Sequence, residues 1–270
     1  MAPIDDLLRY DGRRVVVTGC ASGIGAQLCQ QLTDLGAEVV GLDVRRPAPG
    51  PGKFIELDLA DPGSIDRVAN AVGDRVDALF NVAGVSSGIG NPLLVVTINF
   101  LGMRHLTEAL LPKLGPGSSV NCVSSLAAAN YRENLPQAAG LLATGSMAEG
   151  IDWCHSHADA LADGGYRLSK EAIIGYTVTN AVPLGARGIR INCTGPGVTE
   201  TPILDQLRSA YGPGLLDDIP KPLGRVSDPA EQAAVLVFLG SKAAGYITGQ
   251  VIWADGGTIA ARQAADYEKG

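Results

Sequence analysis

Three consecutive valines, in Arg14-Val-Val-Val-Thr18, lead without a spacer into glycines at 19, 23 and 25 and then into a helical stretch from Ile24 to Leu35. Few chains can satisfy that succession. The β-branched run asks for a buried strand, and glycines at its end permit a tight turn against which another backbone can close. Gly36 then stops the helix and Val39-Val40-Gly41-Leu42 starts a second strand that ends at Asp43. Strand, glycine turn, helix and strand in about thirty residues is the opening unit of a parallel sheet.

The alternation continues. Phe54 to Leu57, Ala78 to Val82, Ser119 to Val123, Ile189 to Cys193 and Gln250 to Trp253 read as further strands. Helices are expected over Ser64–Val72, from Tyr166 to about Val182, and over Ala230–Leu239, with Asp61-Pro62 at the start of the first. Pro183 should kink or end the Tyr166 helix. The strands are continuously apolar instead of alternating, so both faces of the sheet are covered. The expected fold is α/β, a doubly wound parallel sheet of Rossmann-like type, in a single domain over residues 1–270. Two stretches break the rhythm, 126–165 and 202–229, the second with five prolines. Insertions in such a sheet gather at its ligand end, so both are expected to wall a substrate pocket. Leu204, Leu207, Tyr211, Leu215, Leu216 and Ile219 supply an apolar lid.

Composition excludes more than it assigns. A net charge of −7 gives no basic face for nucleic acid. No apolar leader preceded by positive charge and no uninterrupted apolar run of about 18 residues stands out. Cys20, Cys29, Cys122, Cys154 and Cys193 are odd in number and scattered, which suits buried, reduced thiols and a cytoplasmic protein. His155 and His157, in Trp153-Cys-His-Ser-His157, face different ways on a helix, so no metal is expected there.

The glycine turn offers helix N–H groups and a favourable dipole to a pyrophosphate. Its spacing is Gly-x-x-x-Gly-x-Gly, with Ser22, Gly23, Ile24 and Gly25 at the helix start. Asp43 follows Gly19 by 24 positions, at a strand's C-terminal end, where a carboxylate reads ribose hydroxyls. It repels a 2′-phosphate, and Ser22 brings no cation, so NAD is expected over NADP; Arg45 and Arg46 work the other way. Asp58, beside Leu59, either touches the adenine edge or caps the next helix. Asn81, Ala83 and Gly84 end a strand with residues small enough for a ribose to lie against the backbone. Farther on, Tyr166 and Lys170 are four apart on one helix face. A phenol is a poor base near neutrality, and a neighbouring cation favours its phenolate.

Together these residues resemble the compact short-chain dehydrogenase/reductases, from Val15 to about Gly257. The motifs are Thr18-Gly-x-x-x-Gly-x-Gly25, Asp43, Asn81-x-Ala-Gly84, Asn99, Ser124-Ser125, Tyr166 with Lys170, Asn192-Cys-Thr-Gly-Pro196-Gly197-Val-Thr-Glu-Thr201-Pro202 and Ile247 to Gly257. Asn81 is followed by Val82 where a second Asn is common in the family. Within the family the chain resembles the 3α-hydroxysteroid dehydrogenase/carbonyl reductase branch, through its first loop, its Thr-Glu-Thr-Pro and its 40 residues between Ser125 and Tyr166. The resemblance implies Tyr166 as acid/base, Lys170 on the nicotinamide ribose, and Ser125 instead of Ser124 on the substrate oxygen. It further implies Asn99 as anchor of a proton relay, and Pro196, Gly197, Thr199 and Thr201 beside the nicotinamide. The implied function is NAD-dependent interconversion of a secondary alcohol and a ketone, on a bulky apolar steroid, aromatic or cyclic skeleton. The implied assembly is a homodimer or homotetramer. The alternatives are an NADP-dependent carbonyl or sugar/polyol reductase and a catalytically silent dinucleotide-binding regulator.

Overall fold

The computed structural model describes residues 3–47, 52–212, 214 and 218–267. Seven strands make one sheet: β1 (Arg14–Thr18), β2 (Glu38–Asp43), β3 (Lys53–Glu56), β4 (Val76–Asn81), β5 (Leu114–Val123), β6 (Arg190–Pro196) and β7 (Val251–Ala254). All pairings are parallel, in the order β3-β2-β1-β4-β5-β6-β7. The chain runs outward from β1 to one edge, returns to β4, and runs outward to the other. Such a reversal leaves a crevice at the carboxyl ends of β1 and β4, where ligands of this fold class bind.

Alternation along β1 divides the core. Val16 packs with Val40, Leu79, Phe100, Leu106 and Ile174 on one face, while Val15 and Val17 pack with Leu28, Leu32, Phe80 and Leu236 on the other. Helix α1 (Ile4–Leu8) precedes the sheet. Helices α2 (Gly23–Asp34) and α10 (Pro229–Gly240) cover the second face. The first is covered by α3 (Pro62–Ala71), α4 (Pro92–Val96), α5 (Met103–Leu110) and α8 (Tyr166–Gly185). Helix α8 carries Pro183 in its last turn and ends two residues later, so the proline terminates the helix without breaking it earlier.

Residues 92–113 form one helix, long and apolar enough to cross a bilayer and mostly buried in this core. Asn91 starts it by accepting a hydrogen bond from Leu94 N–H at 3.1 Å. Its middle, Thr97–Gly102, winds as a π-helix, a distortion that recurs at functional sites, and this one carries Asn99. Gly102 is required there, since a Cβ would stand 2.0 Å from the Leu59 carbonyl oxygen.

The first insertion divides in two. Residues 126–134 reach the sheet's carboxyl edge, but α6 (Leu135–Leu142) and α7 (Met147–Ser156) lie against α8 and the π segment. The expectation that the whole of 126–165 walls the pocket is corrected accordingly. The close contacts are specific: a Cβ on Gly175 would meet Leu142, and one on Gly150 would meet Leu101, each at 2.4 Å. Arg104 of α5 is buried and holds the α6–α7 turn, donating to Thr144 O at 2.6 Å, Thr144 Oγ1 at 3.1 Å and Ser146 O at 3.0 Å. Trp153 stacks on His157 with ring centroids 4.3 Å apart, and His157 Nδ1 lies 2.8 Å from Trp153 O. The second insertion contains α9 (Pro202–Tyr211), and the chain closes with α11 (Thr258–Tyr267). All five cysteines are buried and free.

Candidate active site

The glycine turn is built by exclusion. Gly19 and Gly23 have φ of +75° and +54°, which other residues adopt with strain. A Cβ on Gly25 would lie 2.1 Å from the Gly19 carbonyl oxygen, and one on Gly19 would lie 2.9 Å from Ala83 Cα. The turn therefore seats directly on Ala83. Thr18 Oγ1 fixes that segment by accepting hydrogen bonds from Val82 N–H at 2.9 Å and Ala83 N–H at 3.0 Å. Ser22 starts α2 without its side chain capping the helix, and Ser22, Gly23, Ile24 and Gly25 all border the same cavity.

Asp43 closes the far side. Its carboxylate accepts from Ala21 N–H at 3.0 Å and Arg45 N–H at 3.1 Å, tying the end of β2 to the turn. Arg46 lies over the Phe54 ring, 4.8 Å from its centroid, whereas Arg45 lines the cavity. Asp58 and Leu59 line it too. Asp58 Oδ1 accepts from Ala60 N–H at 2.8 Å; the cap of α3 is Asp61, so the capping alternative for Asp58 is removed. Asn81 departs from expectation. Its side chain is buried beneath the cavity, donating to Thr107 Oγ1 at 2.9 Å, and it does not join the lining.

Two left-handed glycines, Gly164 and Gly165, start α8 and make Tyr166 its first residue. A side chain at 165 is excluded by the Pro92 carbonyl oxygen, 2.5 Å from its ideal Cβ. Burial pushes the Tyr166 phenol up from its ordinary pKa, and the neighbouring Ser125 hydroxyl draws it back down. Lys170 follows one turn later, 4% exposed, with Nζ 5.6 Å from the Tyr166 ring centroid and donating to Val123 O at 3.0 Å. Burial pushes its ammonium down to about 8. Ser125 thus works against burial at the phenol, with the Lys170 ammonium beside the same ring. Ser124 Oγ donates to Lys170 O at 2.7 Å, which leaves Ser125 as the hydroxyl presented to the phenol.

Asn99 lies behind this group, 1% exposed, outside the cavity lining. It accepts from Val85 N–H at 2.8 Å and donates to Val85 O at 2.9 Å and Ser169 Oγ at 3.1 Å. A Cβ on Gly84 would meet Asn99 Oδ1 at 3.1 Å and Lys170 Nζ at 3.4 Å, so the absence of a side chain at 84 leaves room for both. Pro196, Gly197, Thr199 and Thr201 follow β6 along the cavity, and Thr201 Cγ2 is 3.3 Å from the ideal Cβ of Gly23.

The cavity that joins both ends has a volume of about 730 Å³. Leu204, Leu207 and Ile219 of the expected lid line it. Leu215 and Leu216 lie outside the described residues, as does the Tyr211 side chain. Asn130, Glu133, Asn134, Ile203, Gln206 and Arg262 line it as well, without any motif to announce them. Among the described residues no group of three or more His, Cys, Asp or Glu is placed to hold a metal. A dinucleotide fits the donor set: an uncapped helix N-terminus faces a cradle that any Cβ at 19 or 25 would fill, and a carboxylate stands at the next strand end.

Residues 15–146 match the model of the NAD dependent epimerase/dehydratase family, and residues 138–258 match that of Enoyl-(Acyl carrier protein) reductase. The chain is 33% identical to coniferyl-alcohol dehydrogenase of a Pseudomonas species, over 93% of this chain and 98% of that one. It is 31% identical to 3-alpha-hydroxysteroid dehydrogenase/carbonyl reductase of Comamonas testosteroni, over 94% and 99%. The chain belongs to the short-chain dehydrogenase/reductase family. Its fold agrees with that of the solved 3-alpha-hydroxysteroid dehydrogenase from Pseudomonas sp. B-0831 in complex with NADH, with a TM-score of 0.81 at 33% identity, covering 93% of this chain and 98% of that one. As a member of this family, with dehydrogenases and reductases among its relatives, the protein is an oxidoreductase.

Proposed function

We propose that the protein is an NAD(H)-dependent oxidoreductase that interconverts a secondary alcohol and a ketone on a bulky apolar skeleton, such as a steroid or an aromatic or cyclic carbonyl compound. One observation carries this reading: the Tyr166 phenol, Ser125 hydroxyl and Lys170 ammonium converge at one end of a cavity whose other end is the glycine turn with Asp43. The apolar side chains of Ile203, Leu204, Leu207 and Ile219 suit an apolar substrate. The solved relative bound to NADH supports the cofactor assignment, as does the Asp43 carboxylate, which opposes a 2′-phosphate.

When bound, a nicotinamide dinucleotide supplies or takes up hydride. The chain does the rest. Gly19, Ser22, Gly23, Ile24 and Gly25 receive the pyrophosphate, Asp43 the adenosine ribose, and Asp58 with Leu59 the adenine side. Asn81 supports from below the strand end at which Ala83 and Gly84 back the second ribose. Pro196, Gly197, Thr199 and Thr201 border the nicotinamide. Tyr166 Oη takes the alcohol proton in oxidation and returns it in reduction. Ser125 Oγ donates to the substrate oxygen as charge grows there. Lys170 Nζ holds ribose hydroxyls and keeps positive charge near the phenol. Asn99 holds Val85 and Ser169, the latter next to Lys170 in the chain, and from there anchors a proton path to solvent.

Tyr166→Phe is expected to lower kcat by about a thousandfold, read from nicotinamide absorbance, while NADH fluorescence titration is unchanged. Retained turnover removes Tyr166 from the mechanism. A primary aromatic alcohol is a second reading, favoured by the similarity to coniferyl-alcohol dehydrogenase. A panel of cyclic ketones, steroid ketones and coniferyl alcohol separates the two. We further propose a cytoplasmic homodimer or homotetramer. Val178 and Val182 of α8 are exposed apolar residues beside the 246–249 loop, which carries the fully exposed Tyr246, and this patch supports self-association.

A further inference from the structure

Three arginines line the cavity, and their surroundings differ. Arg45 follows Asp43 at the end of β2, on the dinucleotide side. Arg167 is neutralised, with Nε 2.6 Å from Asp163 and Nη1 2.9 Å from Glu171. Arg262 forms no hydrogen bond or ion pair among the described residues. It is exposed and borders the cavity, so its guanidinium stands at the rim.

Its side of the rim follows from helix geometry. Thr258 starts α11 and donates to Pro220 O at 2.7 Å. Gly257 and Gly256 meet Pro222 and Leu223. Arg262 is four residues after Thr258, on the same helix face, and so looks toward the segment that contributes Ile219 to the cavity. The apolar side chains of Ile203, Leu207 and Ile219 line the same cavity. A guanidinium bordering such walls, in a site drained of water when filled, is a recognition group for a carboxylate.

We infer that Arg262 is a specificity residue that pairs with an anionic substituent, of carboxylate type, at the end of the substrate remote from the reacting oxygen. This rests on the alcohol–ketone reading above and extends it: the substrate is apolar along its length and anionic at its tail. The acid groups of the site, Asp43, Asp58 and Glu133, lie on β2, on the β3–α3 connection and on the 126–134 segment. On the later helices, Asp205 of α9 pairs with Arg208 at 3.4 Å, and Asp266 stands one turn after Arg262 on α11.

The test uses a keto acid whose cyclohexanone carbonyl and benzoate carboxylate lie at opposite ends (oxocyclohexyl-benzoate), and its methyl ester. With the wild-type chain and NADH, the acid is expected to exceed the ester by about tenfold in kcat/KM, mainly through KM, with the ratio falling as salt is added. Arg262→Gln should bring the ratio to about one, with the ester's kinetics unchanged, and Arg262→Lys should keep part of the preference. An unchanged ratio in Arg262→Gln overturns the inference. Weakened NADH binding, with both ketones slowed alike, also overturns it and assigns Arg262 to the dinucleotide phosphates. Turnover of both compounds without discrimination leaves the alcohol–ketone reading standing and this one fallen. Turnover of neither, nor of any ketone in the panel, removes the reading on which it rests.

Discussion

Lys170 pits stability against activity at a single residue. Its ammonium is buried, receives one carbonyl, and has its pKa pushed from 10.5 down to about 8 by desolvation. Below pH 8 both folded and unfolded chains carry the proton, and the folded chain bears the cost of the buried charge. Between about pH 8 and 10.5 the unfolded chain binds more protons, so native stability rises with pH across that window. Lys170→Met is therefore expected to abolish turnover and yet raise unfolding free energy at pH 7, by on the order of 2 kcal/mol. That gain should shrink as the pH passes from 8 to 10, followed by urea denaturation at each pH. A variant that is less stable at pH 7 would mean that the Val123 bond outweighs desolvation. At this scale the sequence was most informative where chemistry demands a fixed spacing. That Tyr166, Lys170, Ser125 and the three loop glycines border one cavity was readable because a turn, a helix face and a strand end fix their separations. Asn81 misled because a residue at a strand's end can face either the ligand or the core, and its neighbours Thr107 and Cys122 come from distant parts of the chain. Arg262 carried no signal, since its place on the cavity depends on how the start of α11 seats on residues 220–223, which no local pattern encodes.

Among elements, the strands were legible and several helices were not. A parallel strand buried on both faces is a short apolar run, and such runs mark all seven, to within a few residues except at the longer start of β5. Pro92-Leu-Leu-Val-Val is equally apolar but helical, because Asn91 caps it and the following residues continue into α5. Helices α6 and α7 are short, each with a glycine in its interior, and they owe their place to tertiary contacts. Gly140 gives room to Trp153, and Arg104 clamps the turn between them. Arg104→Ala is expected to lower stability by about 2 kcal/mol, seen as a lower urea midpoint, because it removes three hydrogen bonds made by a buried, charged donor. Turnover at moderate temperature should persist, since the clamp lies behind α5 and away from Tyr166. Loss of activity without loss of stability would instead make the clamp part of the site.

For the whole molecule, the reversal of strand order decides where anything can bind. The turn after β1, the end of β2, the end of β4 and the loops after β5 and β6 all open on the same edge, and one cavity runs through them. A ligand there touches elements from both halves of the sheet, so its binding energy is shared by the entire fold. NADH at a hundredfold excess over its Kd is expected to add about 2.7 kcal/mol to the unfolding free energy, measured as a raised thermal midpoint. NADPH at the same concentration should add less, because Asp43 meets its additional phosphate. Equal shifts would place the cofactor preference elsewhere.

The ring of contacts around this edge is uneven in origin. Tyr166, Lys170, Ser125 and Asn99 are locked to the buried heart of the sheet, whereas α9, residue 219 and α11 come from its C-terminal third and meet the rest mainly at the rim. Exchange of those later segments can retune what the enzyme accepts without disturbing how it reacts. Lineages of such chains can thus diversify their diet while inheriting one unaltered engine.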